Sequence, residues 1–414
     1  MQVSSVSQQT DGVARDTKRL YYLDWLRVIA ILGVFLFHAS NIFNTTNFEI
    51  KNAEQSEVIT FIQAFFFPWG MPLFFLIAGA GTWFALRRRT AGEFTRERTL
   101  RLLVPFFVGT LLLGPIQLYL SWRHRIQTGV FGGTFIAFVV DRLWGIDPQL
   151  FGAIGYHMWF LGYLFTFSLL ALPLFIWLKD ERGRRAISGL ARLSEHRGAI
   201  LLFIIPLAVV RMSIQPFFPE EHHWADFFTF GAFFVLGYLL FTDLRFAQAI
   251  RRDWPILLAV GTAAFLGAMA IGMSLESFSI DLAPRTPVEF LFWGLVTACG
   301  WCWTAVMLFI GMRFLDRDNR GLQYGQEALL PFFVIHQPVI IVIAFFVVQW
   351  SVDIWPKMLV VFVGSFLVSI GIVELIIKRV GALRVMFGMK GGQAVQAQVV
   401  SAVHKTRAGS AAVR

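Results

Sequence analysis

YYLDWLRVIAILGVFLFHAS, residues 21–40, is an apolar segment interrupted at Asp24, Arg27 and His38. About 20 consecutive apolar residues suffice to cross the hydrocarbon core of a bilayer as a helix. An ionisable side chain in hydrocarbon costs a few kcal/mol, so it normally faces protein or a wet cavity. Eleven residues separate Arg27 from His38, close to three full helical turns. At about 100° per residue the two lie within roughly 20° of each other, and Asp24 within about 60°. All three therefore share one face, and that face is expected to point inward. Along the axis Arg27 and His38 stand about 16 Å apart.

The rest of the chain agrees with a membrane reading. Of its 414 residues 57% are hydrophobic and only 15% charged, with 45 Phe and 14 Trp; a soluble domain is nearer 25% charged. Ten apolar spans are expected, at roughly 22–42, 59–86, 100–120, 157–178, 199–215, 224–242, 255–273, 287–313, 328–350 and 356–378. The fold class expected is thus all-α and polytopic. The apolar stretch 130–145 carries Asp141 and Arg142, and is expected to lie in the interface. Of the 36 Lys and Arg, 28 fall on the tails and alternate loops that share their side, and 7 on the opposite set. The positive-inside rule then places both termini in the cytosol. The organisation expected is a cytosolic tail over 1–20, a membrane domain over 21–390 and a disordered cytosolic tail over 391–414. The polar N-terminus has no apolar h-region, so the first span is expected to act as the insertion signal.

The net charge of +10 is explained by topology, and no nucleic-acid module accompanies it. The lipid bilayer is the partner that composition implies. The two cysteines, Cys299 and Cys302, have the spacing of a redox dithiol but sit in an apolar span with no βαβ context. PEEHHW, 219–224, gathers two Glu and two His in a loop; adjacent histidines do not readily share one ion, and no metal is expected. Glu374 stands four residues before Lys378, the spacing of a structural ion pair. Glu327 is expected at the cytosolic mouth. His336 lies in a span that holds Pro331 and Pro338, and helix breaks at membrane depth are tolerated where protein or water satisfies the backbone.

An Asp followed by Arg, ten residues and His in the first helix resembles the integral-membrane acyltransferase-3 family. Four more segments are similar to that family's motifs, in the same order. MPLFFLIAGAG (71–81) resembles a Phe-Phe-x-x-Ser-Gly motif, with Ala78 where Ser is usual. RERTLRLLVPF (96–106) resembles an Arg-x-x-Arg segment before a proline. YHMWFLGYL (156–164) resembles a His-x-Trp-Phe-Leu motif, and EALLPFFVIHQPVII (327–341) a late helix ending in His-Gln-Pro. The subgroup nearest in character is the glucan-succinylating one.

The resemblance implies an enzyme of the bacterial inner membrane. It would move an acyl group, acetyl or succinyl, from cytosolic acyl-coenzyme A to a hydroxyl of an extracytoplasmic carbohydrate. On this reading acyl-coenzyme A is the donor substrate and no cofactor is held permanently. Asp24, Arg27 and His38 would be catalytic, with His38 either a general base or a transient acyl carrier. Arg98 and Arg101 would hold the phosphates of the donor, for which a guanidinium fork is suited. His157, Trp159, His336 and Gln337 would line the acceptor side of the cavity. The competing reading is a transporter of a lipid-linked sugar, since buried charges and broken helices fit transport too. Against it stand the absence of inverted halves and the crowding of ionisable residues on one helix.

Overall fold

The computed structural model describes residues 19–141, 148–274 and 284–389. All regular structure among them is helical. In chain order the helices are α1 (Tyr21–Ser40), α2 (Glu57–Leu86), α3 (Ala91–Arg98), α4 (Val104–Gln127), α5 (Phe135–Asp141), α6 (Leu150–Gly155), α7 (Trp159–Leu170) and α8 (Leu172–Trp177). They continue as α9 (Glu181–Leu193), α10 (Ile204–Ile214), α11 (Trp224–Leu240), α12 (Leu244–Ser274), α13 (Pro287–Phe314), α14 (Arg320–Val347), α15 (Ile354–Ile372) and α16 (Gly381–Met386). Short π-helical turns join α3 to α4 and extend α15.

Among the described residues seven helices are long and apolar enough to cross a membrane, so the chain is a multi-pass membrane protein. The other three expected spans are helical too, but shorter or broken. Residues 157–178 form a 3-10 turn, α7 and α8, interrupted at Ala171. Pro173 explains that interruption, because a proline lacks the N–H that continues the ladder. Residues 199–214 and α11 are apolar helical stretches of 16 and 17 residues. Within the expected interfacial stretch only 130–141 is described, and it holds α5. Both expected tails fall almost entirely outside the described residues.

Small residues let the helices approach closely, as membrane packing requires. A Cβ on Gly79 of α2 would fall 1.9 Å from the Phe234 carbonyl oxygen of α11, and one on Gly237 would fall 1.9 Å from the Leu76 oxygen. The two backbones therefore cross in contact, glycine against backbone from both sides. Gly300 does the same for α13, where a Cβ would sit 2.6 Å from the Pro68 oxygen. That glycine stands between Cys299 and Cys302, which are free and fully buried.

Candidate active site

α1 carries both ends of the site. At its C-terminal end His38 meets two imidazoles from elsewhere in the chain. His157 comes from the turn Tyr156–Met158, where Tyr156 takes the left-handed φ of 50°. That conformation is costly for a side-chain-bearing residue. His336 comes from the middle of α14. The ring centroids lie 6.1 Å (His38 to His157), 5.5 Å (His38 to His336) and 4.8 Å (His157 to His336) apart. The sequence places these histidines in three distant motifs; the fold makes them one triangle.

A single carbonyl orders two of the rings. Phe333 O lies 2.9 Å from His157 Nε2 and 2.7 Å from His336 Nδ1. A carbonyl only accepts, so both nitrogens carry the proton. The opposite nitrogens, His157 Nδ1 and His336 Nε2, are buried with no partner among the described residues, as is His38 Nδ1. Pro338 supplies no N–H to the Val334 carbonyl one turn back, which opens the α14 backbone at this level. Phe48 stacks on His38 with centroids 6.2 Å apart, from the loop that follows α1.

His38, His157, Trp159 and Gln337 line a cavity of about 1510 Å³, while fully buried His336 stands one layer behind its wall. The cavity follows α1 downward past Phe37, Gly33, Ala30 and Leu26. Its lining on α1 ends at Leu26, the chain neighbour of Arg27, whose own side chain lies outside that lining.

At that lower end Arg27 Nη1 lies 3.3 Å from Asp24 and its Nη2 donates to Ile77 O at 3.4 Å. Arg19 also binds Asp24, at 3.0 Å. The guanidinium lies against α2 where Gly81 leaves room: a Cβ there would sit 2.5 Å from Nη2. Arg98 Nη2 donates to the Thr82 hydroxyl at 3.0 Å, its guanidinium over the Phe94 ring at 4.9 Å. Arg27 and Arg98 thus converge on one turn of α2, the turn of the Gly-Ala-Gly motif. Arg101 instead pairs with Glu97 at 3.3 Å and is half-exposed. The π-helical turn Thr99–Leu103 lies between Arg98 and Pro105, and Pro105 cannot donate to Arg101 O one turn back.

Glu374 binds Lys378 at 2.6 Å, with Glu327 at 3.3 Å from the same Nζ. No group of residues suited to a metal ion occurs among the described residues, the PEEHHW loop included.

Sequence reasoning missed one pair on the cavity wall. Arg211 and Asp226 form a buried ion pair, with the Arg211 guanidinium 4.1 Å over the Trp293 ring. The available signal was Arg211 itself, a lone cation inside the expected span 199–215. Its partner Asp226 lies 15 residues on, in the first turn of the expected span 224–242.

Glucans biosynthesis protein C of Escherichia coli strain K12 is 21% identical over 333 residues, covering 78% of this chain and 82% of the relative. The protein of that name from Escherichia coli O157:H7 is 21% identical over 331 residues with the same coverage. No solved structure matches. A family model described as an acyltransferase domain matches residues 20–374, from just before α1 into the turn that extends α15. The chain belongs to the acyltransferase-3 family of membrane acyltransferases.

Proposed function

We propose that the chain moves an acetyl or succinyl group from cytosolic acyl-coenzyme A to a hydroxyl of a glucan on the outer side of the bacterial inner membrane. The observation that carries this reading is the cavity running along α1, with His38 on its wall and its lower lining ending at Leu26, next to Arg27 in the chain. The relatives named for glucan biosynthesis support a glucan as acceptor.

In the proposed reaction the acyl thioester reaches up the cavity while its phosphates stay below. Arg27, Arg98 and Arg101 hold them with charge-assisted hydrogen bonds, and Asp24 fixes Arg27. A sugar hydroxyl attacks the thioester carbonyl carbon, and His38 takes the hydroxyl proton as general base. The new C–O ester bond forms, the C–S bond breaks, and the departing thiolate takes up the proton from His38. His157 and His336 act as positioning residues: fixed on Phe333 O, their rings pack beside His38 and limit the orientations open to it. Trp159 and Gln337 line the acceptor side.

The test uses purified protein, radiolabelled acyl-coenzyme A and short neutral gluco-oligosaccharides. Label is expected on the sugar with wild type. His38→Ala is expected to lower the rate by about 10²–10⁴-fold, the usual contribution of general-base catalysis. No covalent acyl-protein is expected when the acceptor is left out; an acyl adduct on His38 would replace the base role with a carrier role.

A further inference from the structure

The ion pair between Arg211 of α10 and Asp226 of α11 has no part in the chemistry above, yet both side chains line the cavity and are 7% exposed. Burying two charges is expensive, and a well-packed apolar pair of similar size often does as well or better for stability. The surroundings of this pair point to a ligand.

Each partner is held by groups that leave one side open to the cavity. The Arg211 guanidinium lies over the Trp293 ring, 4.1 Å from its centroid. Asp226 accepts the His222 N–H at 2.7 Å through its second oxygen. His222 takes the left-handed φ of 61°, and the Tyr163 hydroxyl donates to its carbonyl. A strained backbone held from both sides marks a position that the surrounding structure over-determines. The His222 ring then lies over Trp159 with centroids 4.2 Å apart. One turn along α11 from Asp226, the Thr229 hydroxyl faces the same cavity, buried and with no partner among the described residues. A buried hydroxyl without a partner loses the hydrogen bonds that water would give it.

We infer that this cluster is the acceptor subsite, and that it takes a neutral, polyhydroxylated sugar ring. The inference rests on the proposed acyl transfer for the identity of the acceptor. The chemistry is specific. A sugar offers hydroxyls that both donate and accept, arranged around a ring whose C–H faces are apolar. Trp159 and Trp293 supply apolar ring surface to the cavity wall, Arg211 supplies donors, Asp226 supplies acceptors, and the Thr229 hydroxyl both donates and accepts. Because Arg211 and Asp226 cancel, the wall carries no net charge there. A carboxylate or phosphate on the ligand would compete with Asp226 for Arg211, and a cation would compete with Arg211 for Asp226. His222 and His38 line the same cavity, so a sugar held on this wall shares that space with the imidazole.

Tryptophan fluorescence titration of the purified protein tests the subsite. The probes are short neutral gluco-oligosaccharides and, separately, oligomers of uronic acids. Wild type is expected to bind the neutral sugars and to bind the charged ones at least about tenfold more weakly, the worth of one charge-assisted hydrogen bond. Thr229→Val, and the double variant Arg211→Gln with Asp226→Asn, are each expected to weaken neutral-sugar binding by about tenfold while leaving acyl-coenzyme A binding unchanged. Thr229→Val keeps shape and charge, so it remains informative should the double variant fail to fold. Wild type that binds no neutral sugar, or unchanged sugar affinity in Thr229→Val, overturns the subsite. Sugar binding that behaves as expected in a protein that transfers no acyl group leaves the subsite standing and removes the transferase reading instead.

Discussion

Gly81 and Thr82 are small side chains with opposite duties toward the same two arginines. Gly81 leaves the space that the Arg27 guanidinium occupies, and Thr82 offers the hydroxyl that Arg98 binds. In Gly81→Ala the added methyl meets the far end of a flexible side chain, which swings away at little cost to the fold. Unfolding temperature is therefore expected to hold while the KM for acyl-coenzyme A rises several-fold; an unchanged KM would detach Arg27 from the donor. Lys51 lies outside the spans, in the loop that lays Phe48 on His38. Its ammonium donates to Asn41 O at 2.7 Å, to Asn44 Oδ1 at 2.8 Å and to Asn44 O. Burial pushes it down from 10.5 to about 8. Between about pH 8 and 10.5 the unfolded chain holds that proton and the folded one does not, so stability from this group rises with pH there. The unfolding temperature of wild type relative to Lys51→Met should climb across that window, and a flat or falling difference would contradict the burial argument.

The crossing of α2 and α11 depends on two glycines. Gly79→Ala would put a methyl 1.9 Å from a backbone oxygen, which cannot swing aside as Arg27 can. Overpacking of this kind costs about 1–3 kcal/mol, so Gly79→Ala should lower the unfolding temperature where Gly81→Ala does not. Equal stability of the two variants would contradict the packing described here. This contrast between neighbours shows what was legible in the sequence. The helices were, because apolar runs of spanning length and the ladder-breaking prolines are local signals. The alignment of Arg27 with His38 was, because both lie on one helix. The meeting of His38 with His157 and His336 was not, since it depends on α14 opening at Pro338 and on one carbonyl, Phe333 O, that no pattern marks. Arg211 and Asp226 stayed hidden for a related reason: they lie on two different spans, and their pairing depends on how those helices pack. The short helices α7, α8 and α10 were expected as full spans because composition measures apolar length and not helix continuity.

Among the described residues the helices enclose a cavity that runs along α1 from the histidine end to Leu26, next to Arg27 at the arginine-rich end. Gly33 lies on that passage between the two, and a Cβ there would meet nothing within 4 Å. Gly33→Phe should therefore fold normally and obstruct the cavity, abolishing transfer while sugar binding at the upper wall persists. Retained transfer in that variant would mean the acyl group travels by another route. The most direct test of the whole account places wild type and His38→Ala in sealed vesicles of one orientation. Radiolabelled acyl-coenzyme A is supplied on the side of Arg27 and Arg98, and neutral gluco-oligosaccharide on the side of His38. The account predicts label on the sugar across the membrane with wild type and almost none with His38→Ala. Label moving equally well without the imidazole, or only when donor and sugar share one side, would contradict it.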